Sequence, residues 1–127
     1  MKKFINKNYT YAIVGASNDG SKYGHKVFMD LKENGFKVVP INPNTGEVAG
    51  EKSYAGLKVA PAGIDVAVFV VPPAVTEKVL LDAKAAGIRK VWLQPGSESG
   101  GAIRFCEENG MECMHDACIM LSKNNRI

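Results

Sequence analysis

The residues most able to do chemistry lie between Gly15 and Gly24, directly after the short apolar run Tyr11, Ala12, Ile13 and Val14. This stretch sets three glycines, at 15, 20 and 24, among Ala16, Ser17, Lys22 and Tyr23. After it, Val27, Phe28 and Leu31 recur at helical spacing, so the unit reads as strand, loop and helix. A helix N-terminus carries unpaired backbone N–H groups and a partial positive charge, and a glycine loop lets a ligand approach it closely. The chemistry on offer is anion binding, with phosphate as the natural guest. A βα turn that uses small residues only for close packing has the same composition, and the loop alone leaves both readings open.

Two further stretches bear on the ligand. The fingerprint for NAD requires G-x-G-x-x-G and an acidic residue about 20 positions on, at the end of the second strand. Here the glycines are spaced differently, and the second strand ends in Ile41, Asn42 and Pro43. No Gly-Lys-Ser or Gly-Lys-Thr is present for a Walker loop. With Ser17 and Lys22 near the anion position and apolar walls at Val71, Pro72 and Pro73, the pattern suits an adenine nucleotide other than NAD.

Little else in the chain is reactive by position. His25 falls in the first turn of a helix and His115 near a late strand, and each reads as structural or surface histidine. Cys106, Cys113 and Cys118 form no C-x-x-C and leave one thiol over in any disulfide scheme, which suits a reducing cytosol and not zinc. Cys118 reads either as a small buried hydrophobe or as a thiol near a ligand, and Trp92 as core. No nucleophile, base and orienting acid assemble from these residues, so a binding module is expected rather than an enzyme.

The elements that must position the loops follow from periodicity. The first helix is expected from about Ser21 to Asn34, closed by Gly35, and the next strand is Lys37 to Ile41, whose Pro40 predicts a bulge or strand end. Val48 to Tyr54 reads as an irregular excursion and Leu57 to Ile64 as loop. Val66 to Val71, all Val or Phe except Ala67, reads as a central strand covered on both faces. A helix then places Val75, Val79, Leu80 and Ala83 on one face up to Gly87, followed by a strand at Val91 to Leu93. The loop Gln94 to Ser97, a helix from Gly100 to Asn109 and a strand from Glu112 to Met114 complete the pattern, and the polar tail after Leu121 is expected to fray. Strands alternating with helices give an α/β, doubly wound, mainly parallel sheet with helices on both faces and a ligand site at the carboxyl ends of its strands.

The 127 residues suit one domain over 1–127, and 46% hydrophobic with 23% charged residues is a globular composition. A net charge of +3 without a basic block falls short of a nucleic-acid surface. No run approaches the roughly 20 apolar residues of a membrane span, and Asn6, Lys7 and Asn8 interrupt the start of any export signal. A cytoplasmic protein without nucleic-acid or membrane partners is expected, and a protein partner or homo-oligomer stays open.

Taken in order, GASNDGSKYGHKV from residue 15, VVPINP from 38, GEKSY from 50, VFVVPP from 68, VWLQPGS from 91 and the DAC of 116–118 resemble the small stand-alone coenzyme A-binding proteins. Their fold is shared with the amino-terminal domain of the succinyl-coenzyme A synthetase α subunit. The likeness runs from Tyr11 to about Ser122. It implies coenzyme A as ligand, with its diphosphate region at Gly15, Ala16, Ser17, Lys22, Tyr23 and Gly24. It also implies the Asn-Pro turn at Asn42 and Pro43, an adenine flanked by Val71, Pro72, Pro73 and Val75, and residues 94–97 along the outer cleft. Many relatives carry an arginine or proline inside the first loop where this chain has Asn18, Asp19 and Gly20, so Asp19 must turn away from phosphate. The function implied is binding of coenzyme A or an acyl-coenzyme A as sensor, carrier or partner subunit. The alternatives are an enzyme acting on the thioester, an NAD-dependent oxidoreductase, or an interaction protein with an empty pocket.

Overall fold

Five strands, joined by α-helices at all but one crossover, form a wholly parallel sheet. The computed structural model describes residues 2–123. Strand β1 (Thr10–Val14) leads to helix α1 (Tyr23–Glu33) and strand β2 (Lys37–Ile41). A short hairpin follows, β3 (Glu47–Val48) and β4 (Glu51–Lys52), then a single 3-10 turn at Leu57–Val59. The chain continues through β5 (Val66–Phe69), α2 (Pro73–Ala85), β6 (Lys90–Leu93), α3 (Gly100–Glu108), β7 (Glu112–Met114) and α4 (Ile119–Ser122). The sheet order is β2-β1-β5-β6-β7, which places β5 at the centre, as its unbroken apolar run requires.

Successive side chains on a strand point to opposite faces, and the two cores divide accordingly. Tyr11, Ile13, Val66, Val68 and Trp92 pack with Val27, Phe28 and Leu31 of α1 and Ile119 of α4. Ala12, Val14, Ala67, Phe69, Val91 and Leu93 pack on the other face with Leu80 and Ala83 of α2 and Ala102 and Cys106 of α3. Both faces are covered by helices. Trp92 is core, as expected, with its indole N–H donating to the Ala117 carbonyl at 2.9 Å and Phe4 edge-on to its ring.

The structure corrects the sequence reading in four places. Pro40 causes no bulge but does mark the strand end: it pairs in register with Ile13 one residue before β2 stops, and β2 lies at the sheet edge. Ile41 points its carbonyl to Gly15 of the β1 side, so the preceding residue faces outward, where the missing N–H of proline costs no ladder bond and its carbonyl accepts from Tyr54 N at 3.1 Å. The excursion after Thr45 contains the β3–β4 hairpin, whose turn residues Ala49 and Gly50 both have positive φ, 49° and 83°. The inward seam of α2 is Thr76, Leu80 and Ala83, so Val75 lies exposed and Val79 half-buried against the core. Of the polar tail after Leu121, Ser122 is buried as the last residue of α4, whereas 124–127 lie outside the described residues. No helix among the described residues is long and apolar enough to cross a membrane.

Candidate functional site

After β1 the chain passes to β2 on one side, then returns to β5 on the other, so the loops leaving β1 and β5 diverge to opposite faces. A crevice opens at such a reversal of strand order, outside the carboxyl ends of the strands. Here it is a cleft of about 630 Å³, in the range that holds a nucleotide-sized ligand.

Its floor depends on two glycines. Gly15 has φ of 101°, and a β-carbon there would lie 2.8 Å from Val71 Cγ1 and run into the Val70 carbonyl. Gly24, in the first turn of α1, is pressed so closely on the β1 loop that a β-carbon would lie 2.8 Å from the Gly15 carbonyl carbon and overlap its oxygen. A side chain at Gly15 would push the first loop away from Val70 and Val71, and one at Gly24 would push α1 away from that loop. The helix N-terminus is thereby held at the cleft with Ser17, Lys22 and Tyr23 around it.

Three helices point their N-termini toward this end of the sheet, and they are not equivalent. Helix α3 is capped, its Ser99 hydroxyl accepting from Ala102 N at 3.0 Å. Helix α2 begins Pro72-Pro73, and proline has no N–H to offer. Helix α1 has no side-chain cap and no acidic residue in its first turn, and Lys22 stands at its cap position. An anion therefore finds open donors and favourable charge at α1. Asp19 does not oppose this: it lies off the cleft wall, accepting from Ser21 N at 3.0 Å and Ser21 Oγ at 2.7 Å, bonds that hold its carboxyl below the usual carboxylate range.

The loop is fixed from behind. His25 Nδ1 donates to the Ser17 carbonyl at 2.8 Å, a structural use of that histidine. Asn18 bridges to the hairpin, donating to the Glu47 carbonyl at 2.7 Å and accepting from Ala49 N at 3.0 Å. The Asn42 amide donates to the Ala16 carbonyl at 2.8 Å and accepts from Asn44 N at 2.7 Å. Asn42 thus ties the first loop to the Asn-Pro turn with both of its side-chain polar atoms.

Ten of the twelve residues singled out in the sequence border this cleft: Gly15, Ser17, Lys22, Tyr23 and Gly24 from the first loop, Asn42 and Pro43 from the second, and Val71, Pro72 and Val75 from the third. Ala16 is fully buried beneath the loop and offers its carbonyl to Asn42, and Pro73 faces solvent at the start of α2. The loop expected along the outer cleft turns inward instead. Gln94 is buried, accepting from Ile119 N at 2.7 Å and donating to Cys118 Sγ at 3.4 Å. Ser97 Oγ accepts from Val71 N at 3.1 Å, so this loop braces the cleft wall from outside it.

The profile of the CoA-binding domain family matches residues 9–124. The chain belongs to that family. In sequence this CoA-binding domain is 41% identical over 81 residues to the α subunit of the ADP-forming acetate–CoA ligase II of Pyrococcus furiosus, a match covering 63% of this chain and 18% of that one. The ADP-forming acetate–CoA ligase of Methanocaldococcus jannaschii is 37% identical over 87 residues, 68% of this chain and 12% of the ligase. The domain thus spans less than a fifth of the length of these ligases. In structure it is similar to a conserved hypothetical protein from Pyrococcus furiosus, with TM-score 0.88, 44% identity and coverage of 90% of this chain and 98% of that one.

The CoA-binding domain also brings to the cleft residues that sequence reasoning passed over: Asn44, Ala55, Gly56, Val79 and Asp82. Val79 and Asp82 follow Val75 at i+4 and i+7, so helical periodicity already puts them on one stripe. Ala55 and Gly56 have no local signal. They arrive because Tyr54 makes a parallel bridge to Ile41, which folds the hairpin segment back along β2.

Proposed function

We infer that this domain binds coenzyme A or an acyl-coenzyme A and acts as a ligand-binding module, as sensor, carrier or partner subunit, without a reaction of its own. The observation that carries the reading is the uncapped N-terminus of α1, pressed onto Gly15 through Gly24 and opening beside Val71, Pro72 and Val75. One end of such a cleft suits a diphosphate, and the apolar strip suits a flat base. Asn42 supports coenzyme A over NAD: it stands where an NAD site needs a carboxylate, its amide is committed to the loops, and a carboxylate there would repel the 3′-phosphate of coenzyme A.

The likeness to a ligase α subunit supports the partner-subunit form of this reading. The free thiols Cys106, Cys113 and Cys118 are consistent with a cytoplasmic setting.

A thermal-shift comparison tests the proposal. Ligand that binds only the folded state raises the melting temperature by mass action. Coenzyme A at sub-millimolar concentration is expected to raise it clearly and NAD at the same concentration to do little. Greater stabilisation by NAD, or none by either coenzyme A or acetyl-coenzyme A, would overturn it.

A further inference from the structure

Asp82 is the only carboxylate among the described lining residues, in a cleft whose other end is arranged for anions. It continues the stripe of Val75 and Val79 on α2. At 1.5 Å per residue, its position lies about 10 Å along the helix from Val75. Helix α2 starts at Pro73, next to the floor formed by Val70 and Val71 against Gly15, so Asp82 belongs to the part of the cleft farthest from the anion end. Its Oδ1 lies 3.5 Å from Lys58 Nζ, a largely exposed partner.

A carboxylate held only by an exposed lysine, at the far end of an apolar strip, suits a ligand that is anionic at one end, flat and apolar beyond it, and carries a hydrogen-bond donor at its tip. Resting on the reading of this cleft as a coenzyme A site, we propose that Asp82 accepts the exocyclic amine of the adenine and makes the site selective for that base. The open N-terminus of α1 fixes the direction of the ligand, because it holds phosphate there, whereas the Asp82–Lys58 pair offers phosphate no net charge. A hypoxanthine base presents a carbonyl oxygen at the position of the amine, and two facing acceptors repel each other. A contact from Asp82 to a ribose hydroxyl would have to lie near the phosphates, at the other end of the strip.

Calorimetric titration of the full chain with coenzyme A and with its deaminated, hypoxanthine-containing analogue tests this. The wild type is expected to bind coenzyme A about tenfold or more tighter than the analogue, the scale of a hydrogen bond to a charged group. Asp82→Ala should bring the two ligands to within about twofold, chiefly by weakening coenzyme A. Asp82→Asn, whose amide can donate to the hypoxanthine oxygen, should narrow or reverse the preference. Asp82 is a partly exposed helix position, and circular dichroism of each variant checks that it is folded. Equal affinity of the wild type for both ligands overturns the proposal, and so does an Asp82→Ala protein that keeps the preference or loses affinity equally for both. A wild type that binds neither ligand overturns the coenzyme A reading itself, and the role of Asp82 with it.

Discussion

The α-carbon of Gly24 faces the carbonyl of Gly15 so closely that no β-carbon fits between them. One contact therefore sets both the packing of α1 on the sheet and the height of its N-terminus above the cleft. Gly24→Val is expected to lower stability by about 1–3 kcal/mol through overpacking and to weaken coenzyme A binding in the protein that still folds. Urea denaturation and calorimetric titration measure the two effects. Unchanged affinity in a folded Gly24→Val protein would show that the anion site lies elsewhere.

Lys22 makes no ion pair among the described residues and stands exposed at the N-terminal cap of α1. An exposed charge acts on phosphate through screened attraction, so its share is modest. Lys22→Ala should weaken coenzyme A binding by about 1 kcal/mol, roughly fivefold. Raising the salt from about 0.05 to 0.5 M should weaken binding to the wild type, and less so to Lys22→Ala. Titrations at several salt concentrations decide it. Parallel salt dependences in the two proteins would remove Lys22 from the site.

How far the fold could be read in advance depended on what each residue's neighbours were. Val66 to Phe69 announced a central strand because burial on both faces leaves no polar alternation to confuse the reading. The three helix stops at Gly35, Gly87 and Gly110 were equally legible, since all three adopt positive φ. The polar residues of the fourth loop were not. Gln94 and Ser97 look like cleft-lining groups in sequence, yet they turn inward because the N–H groups of Ile119 and Val71 need acceptors that only the folded chain reveals. Val75 shows the same limit on a helix. The apolar stripe was visible, but the core takes Thr76, Leu80 and Ala83 and leaves Val75 to the cleft.

The β3–β4 hairpin escaped notice for a local reason. Two-residue turns with positive φ at both positions favour Asn-Gly, and this one is Ala49-Gly50, between strands of only two residues each. Alanine at φ of 49° carries the steric cost of a left-handed L-residue. Ala49→Asn should relieve part of it and raise stability by about 0.5–1 kcal/mol. Because Asn18 of the first loop bonds to the Ala49 amide, the variant should also leave coenzyme A affinity unchanged or slightly improved. A lower melting temperature for Ala49→Asn would contradict this account of the turn.

Tyr11 predicts the alkaline limit of the fold. Its side chain is fully buried, with the hydroxyl donating to the Phe4 carbonyl at 2.6 Å and accepting from Asn6 N at 3.0 Å. Burial raises its pKa above the ordinary value of 10.0, because the phenolate would lose its solvation. Above pH 10 the unfolded chain releases this proton while the folded chain keeps it, so the unfolded state binds fewer protons and stability falls as pH rises. The contribution is intact below pH 10 and is lost progressively until the folded-state pKa is passed. The Cys106 and Cys113 thiols, the first pushed down and the second up by the hydrogen bond between them, change the profile in opposite senses, so the wild-type profile alone does not isolate the tyrosine. Tyr11→Phe does. At neutral pH it should cost about 1–3 kcal/mol, since the Phe4 carbonyl and the Asn6 N–H lose a partner. Above pH 10 its stability should fall less steeply than that of the wild type, so the two curves converge. Urea denaturation between about pH 8 and 11 reads the difference. Curves that stay parallel across that range would mean that Tyr11 titrates in the folded protein as it does in water.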